Sequence, residues 1–188
     1  NGKKRRQGKG GMVLDTIFTV LKYILTAITV LTLYKFLYMV IGFFGKARKF
    51  ENTEKLHKFA VVISARNEEK VIGNLLDSIH GQNYPKELVT VFVIADNCDD
   101  ETAKICREKG AIVYERHDPK HARKGWALEY GFKNILRDYG ADYADGFFIF
   151  DADNLLHPDY MREMNKAFAT DEFDVICGYR NTKNFATN

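Results

Sequence analysis

Residues 59–69 read F-A-V-V-I-S-A-R-N-E-E, an apolar run of strand length that ends abruptly in charged and amide side chains. No polar residue alternates through Phe59–Ser64, so both faces of this strand are expected to be buried, as in a parallel sheet. Val71, Ile72, Leu75, Leu76 and Ile79 recur at helical spacing, and then comes a second β-branched run, Val89–Ala95. The alternation continues with a helix over Thr102–Lys109, a strand over Ala111–Tyr114 and a helix marked by Ala127, Leu128, Gly131, Phe132, Ile135 and Leu136. A strand over Phe147–Phe150, a helix over Pro158–Phe168 and a last strand over Asp174–Cys177 complete the pattern. Apolar strands alternating with amphipathic helices predict an α/β fold, a mostly parallel sheet with helices on both faces.

Ligands of such sheets bind beyond the carboxyl ends of the strands, which makes the polar residues there the candidates for function. Four clusters qualify. After the first strand, Ala65, Arg66, Asn67 and Glu68 lead into a helix, where Arg66 and free N–H groups can meet a diphosphate. The plain alternative is helix capping by Asn67, with Glu68 and Glu69 in the first turn. After the second strand stands Asp96, a carboxylate able to accept from a base N–H or a ribose hydroxyl, or simply to begin a polar turn. Lys124 and Gly125 open the third helix of this region, with a cation for phosphate and a glycine that lets a ligand approach the backbone. Asp151 and Asp153 leave the apolar run 147–150 one residue apart. Like charges so close call for neutralisation, which a hard cation with oxygen ligands supplies. A calcium loop is excluded, because its sixth and twelfth positions would be Leu156 and Arg162 instead of glycine and glutamate.

Taken in order, these segments resemble glycosyltransferase family 2, with the GT-A (Rossmann-like) fold, over about Lys58–Tyr179. V-V-I-S-A-R-N-E-E (61–69) is similar to the family's opening strand and x-N-E signature. V-I-A-D-N-C-D-D-E-T (93–102) is similar to its D-x-S-x-D-x-T segment, with Cys98 in place of serine. R-K-G-W-A-L (123–128) resembles the lysine-glycine helix start, and F-I-F-D-A-D-N (148–154) followed by H-P-D-Y resembles the D-x-D segment. The resemblance implies a metal-dependent, inverting transfer of sugar from a nucleotide-sugar, UDP-linked by expectation, to a glycan or lipid hydroxyl in surface polysaccharide or glycolipid synthesis. It implies donor contacts from Ala65, Arg66, Asn67, Glu68, Asp96, Lys124, Gly125 and Asp151, and Mg²⁺ or Mn²⁺ on Asp151 and Asp153. The family's catalytic base lies downstream of D-x-D, and neither an E-D base motif nor Q-x-x-R-W follows here; the GT-A domain, 58–188, is expected to be incomplete and to lack the base. Two other classes are a nucleotidyltransferase, disfavoured because S-A-R-N-E-E has no glycine-rich loop, and a non-catalytic nucleotide-binding membrane module.

Upstream, residues 16–44 form an apolar stretch long enough to cross a bilayer, interrupted by Lys22 and Lys35. A lysine at the bilayer centre costs about 3 kcal/mol or more, so a span over Ile17–Tyr34 is expected, with Lys22 snorkelling and Lys35 at the far face. Phe36–Phe44 would then continue along the interface, where Tyr23, Tyr34 and Tyr38 also fit. A helix lying on the membrane surface is the alternative, disfavoured by the lack of a broad polar face. Lys46, Arg48 and Lys49 follow this 12–45 anchor and open the 46–57 linker, which places the soluble domain on the cytosolic side of the cell membrane by the positive-inside bias. Residues 1–11 are a basic leader. Apart from Asn1 and Gln7 their residue types can all be encoded by purines, the composition of a bacterial ribosome-binding site ahead of a start at Met12. A lipid-binding anchor or an expression scar are the other readings. Without the leader the net charge of +3 nearly vanishes, and nothing in the charge pattern points to a nucleic-acid surface. Cys98, Cys106 and Cys177 have no metal or disulfide spacing and read as plain thiols in a reducing compartment.

Overall fold

The computed structural model describes residues 9–44 and 48–180, with side chains from Gly11 onward. Most of the basic leader, Lys46 and the polar run after Arg180 lie outside the described residues. The chain divides into two compact units, with the boundary in sequence between Lys49 and Phe50.

The first unit is one continuous helix, α1 (Lys9–Phe44). It runs through Lys35 without a break, because no proline interrupts the backbone hydrogen bonds there. From Gly11 to Phe44 it has the length and apolarity of a membrane span, with mean hydropathy 1.9 and no buried residue in its most apolar window. Its threonines need no outside partner. The hydroxyls of Thr16, Thr19, Thr26, Thr29 and Thr32 each donate to the carbonyl one turn back, at 2.8–3.0 Å. Such internal satisfaction is what a hydrocarbon environment demands.

The second unit is built on a four-stranded parallel sheet in the order β3-β2-β1-β4. Its strands are β1 (Phe59–Ala65), β2 (Val89–Asp96), β3 (Ile112–Arg116) and β4 (Gly146–Asp151). Its helices are α2 (Ile72–His80), α3 (Thr102–Glu108), α4 (Lys124–Tyr139) and α5 (Tyr160–Phe168). The chain steps outward from β1 to β3, then crosses back to β4 on the other side of β1. Right-handed crossovers of opposite direction put their helices on opposite faces. Accordingly, Phe59, Val61, Ile63, Val91, Val93, Phe148 and Phe150 pack with α2, α3 and α5. Ala60, Val62, Phe92 and Ile94 pack with α4. At Gly131 of α4 a Cβ would lie 2.5 Å from the Ile94 side chain, so glycine lets this helix settle on β2.

The chain is clasped where it enters the sheet. His57 is buried; its backbone N–H donates to Tyr84 Oη at 2.9 Å, and its Nδ1 lies 2.9 Å from Asn165 Oδ1. Asn165 returns a bond to the Lys55 carbonyl. The Lys58 N–H donates to the Asp145 carboxylate, and the Asp145 N–H to the Lys58 carbonyl.

One expected element is missing. Asp174–Cys177 is not a strand: no described residue pairs with it, and Val175 is 80% exposed. Four residues with no partner edge leave their backbone groups to water, and the ladder does not form.

Candidate active site

The strand order reverses at β1, where the chain crosses from β3 to β4, and the carboxyl ends of the strands beside such a switch point are the usual ligand position. All four sequence clusters end there. In register, Ala65 is level with Ala95, Ser64 with Asp151, and Asp96 with Arg116. Asp96 and Asp151 thus stand on either side of β1, two strand spacings or about 10 Å apart across the sheet and two residues or about 7 Å apart along it.

The first two loops form one hydrogen-bonded unit. Asn67 is left-handed (φ +54°) and its Oδ1 accepts from the Asp99 N–H at 3.0 Å. The N–H groups of Asn67, Glu68 and Glu69 donate to Cys98 Sγ (3.5 Å), Thr102 Oγ1 (2.8 Å) and Asp100 Oδ2 (3.1 Å). The Glu101 N–H donates back to Glu69 Oε2, and the Cys98 thiol to the Ala65 carbonyl. These backbone donors are therefore committed within the protein. Asn67 does not cap α2, whose N-cap is Val71. The Arg66 guanidinium stays exposed, with no ion pair among the described residues. Burial works to raise the Asp100 carboxyl, but hydrogen bonds from Thr102 and Glu69 outweigh it and lower its pKa. Burial, with Asp100 and Asp96 nearby, raises the Cys98 thiol.

Asp96 is 4% exposed. Its Oδ1 accepts from Arg116 Nη1 at 2.6 Å and from Asn97 Nδ2 at 2.9 Å. Its Oδ2 accepts no hydrogen bond from the described residues. Arg116 is buried too, and its Nη2 donates to Asp118 Oδ2 at 3.1 Å. Asp118 in turn binds His121 Nδ1 at 2.9 Å, which lowers the Asp118 pKa. Arg116 escapes a reading by sequence, since it ends a short strand and nothing local names its partner. The register that places it opposite Asp96 is the only signal.

At the start of α4, Lys124 Nζ donates to Asp151 Oδ1. The N–H groups of Lys124 and Gly125 have no acceptor among the described residues, and a Cβ on Gly125 would meet nothing within 4 Å. Helix dipole, open backbone donors and a lysine converge on one spot. Asp151 Oδ2 lies 3.8 Å from Arg180 Nη1, a contact that no local pattern in the sequence announces. Beyond β4, Asn154 closes a turn: its Oδ1 accepts from the Asp151 N–H and its Nδ2 donates to Asp153 Oδ1 at 3.2 Å. Asp153 is exposed, with its Oδ2 uncommitted among the described residues. Among those residues no three His, Cys, Asp or Glu side chains gather as a metal cluster. Asp151 and Asp153 offer an incomplete all-oxygen set. That fits Mg²⁺ or Mn²⁺, which take one or two carboxylates and complete their shell with water and phosphate.

The model of glycosyltransferase-like family 2 matches residues 57–187, most of the chain and all of the sheet. The chain belongs to glycosyltransferase family 2. Among curated proteins, the 4,4'-diaponeurosporenoate glycosyltransferase of Staphylococcus aureus is 48% identical over 60 residues, 31% of this chain and 15% of that protein. Among solved structures, a mannosyltransferase from Pyrobaculum calidifontis in complex with GDP-Man and Mn²⁺ superimposes with a TM-score of 0.61 at 20% identity. That match covers 78% of this chain and 43% of the other, and it establishes the GT-A-like fold. The chain thus matches only a part of either protein's length.

Proposed function

We propose that this chain is the donor-binding part of a membrane-anchored, inverting glycosyltransferase that takes a nucleotide-sugar, with UDP as the nucleotide. The organisation is an anchor at 12–45, a linker at 46–57 and a GT-A domain from 58 that faces the cytosol. The observation that carries the reading is the pairing of Asp96, with one free oxygen, and Asp151–Asp153 on opposite sides of β1. That gap suits a nucleoside diphosphate lying across the strand end.

In this reading Asp96 Oδ2 accepts from the base or ribose, while Arg116 orients the carboxylate. Ala65 walls the ribose, and Asn67 and Glu68 shape the loop beside it. The open N–H groups of Lys124 and Gly125 and the Arg66 guanidinium meet the diphosphate. Asp153, with Asp151 beside it, would hold Mg²⁺ or Mn²⁺, which when bound neutralises charge on the leaving diphosphate. The acceptor is a glycan or lipid hydroxyl.

Two experiments test the reading. With the full chain in detergent, calorimetry should show UDP binding more tightly with Mn²⁺ or Mg²⁺ than with chelator. Asp153→Asn should remove most of that difference, because it deletes a charged ligand oxygen at constant size. Equal affinity in metal and chelator for both proteins would mean the carboxylates are structural turns. In cells, the chain should sediment with membranes and resist extraction by carbonate, and deletion of residues 13–44 should release it. Release of the intact chain by salt or carbonate would favour a surface helix over a span.

A further inference from the structure

Building on the donor-site reading above, we infer that Lys124 and Arg180 act as placeholder cations on Asp151, so that metal and nucleotide diphosphate load cooperatively. Both Asp151 oxygens are engaged by the protein's own cations, Oδ1 by Lys124 Nζ and Oδ2 by Arg180 Nη1. A divalent ion arriving alone competes with both for the same oxygens and meets their repulsion at close range.

A diphosphate changes this balance. Lys124 is the first residue of α4, beside the open N–H groups where an anion is best placed. Both cationic side chains are substantially exposed on flexible stems and can turn to a new partner. Arg180 is brought there by close packing: Gly178 lies against Tyr160, where a Cβ would sit 2.6 Å from the hydroxyl. The anion draws the two cations off Asp151 and brings oxygens of its own to the metal. Each ligand then improves the site for the other, and the coupling is reciprocal.

The test rests on a sign. A residue that only helps binding weakens it when removed. Lys124→Gln and Arg180→Gln should instead tighten Mn²⁺ in the absence of nucleotide, while weakening UDP. Mn²⁺ affinity is read by electron paramagnetic resonance titration of the full chain in detergent, with and without UDP. In the unmodified chain UDP should tighten Mn²⁺ by roughly tenfold or more, within the usual range of coupling. In Arg180→Gln and Lys124→Gln, Mn²⁺ alone should bind about threefold tighter or more, and the UDP effect should shrink correspondingly. Unchanged or weaker Mn²⁺ binding in both variants would overturn the inference. Asp153→Asn keeps this failure separate from that of the donor-site reading. If it abolishes Mn²⁺ binding while the two variants do not tighten it, the metal site stands and the coupling falls. If it changes nothing, both fall.

Discussion

Asp96→Ala should destabilise the domain by about 3 kcal/mol, at the lower end of what breaking a buried ion pair costs. The substitution removes the carboxylate that Arg116 Nη1 approaches at 2.6 Å, in a place where both side chains are nearly closed to water. The guanidinium keeps one contact, to Asp118, which sits nearer the surface. Asn97 loses an acceptor as well. Thermal unfolding of the full chain in detergent should therefore fall by several degrees for Asp96→Ala, and by less for Asp96→Asn, which retains an acceptor oxygen. Replacing both partners, as in Asp96→Leu with Arg116→Met, should recover much of the loss, because no buried charge is left alone. An Asp96→Ala protein as stable as the original would show that Arg116 finds water or another partner. UDP affinity should fall with and without metal, unlike Asp153→Asn, whose effect appears only when metal is present.

Phe92→Ala should cost about 3–5 kcal/mol, the usual range for truncating a buried aromatic side chain. Phe92 is 0% exposed and packs on three tyrosine rings, Tyr114, Tyr139 and Tyr143, with centroids 5.2–6.3 Å away. Ile149 is a useful contrast. It is 42% exposed on the edge strand β4, so Ile149→Ala should lower stability far less than Phe92→Ala. The comparison is read from thermal midpoints. Similar losses for the two would mean that β4 is covered in solution as β2 is.

The sheet is legible in the sequence because β1 and β2 are apolar at successive positions, a pattern that only burial on both faces makes favourable. The short run 174–177 carries the same local signal, but pairing is decided by the neighbouring edge, which a sequence window does not contain. Within the site, Asp96, Lys124, Asp151 and Asp153 can be singled out because each follows or faces a strand end. Their partners cannot. Arg116 meets Asp96 through the β2–β3 register, and Arg180 meets Asp151 through packing on α5. Lys124 is expected beside a phosphate and in the structure binds a carboxylate, an exchange that depends on which anion is present. The work of Asn67 and Glu68 is also hidden, since their bonds reach more than 30 residues along the chain.

Those long-range bonds have a consequence for engineering. Loops 66–69 and 98–102 behave as a single cassette: one supplies three backbone donors, the other the thiol, hydroxyl and carboxylate that receive them. A chimera that imports a foreign 98–102 segment without its matching 66–69 segment removes the acceptors of all three donors and the bonds that hold the two loops together. Exchanging this corner between family members therefore requires that both segments be transplanted together.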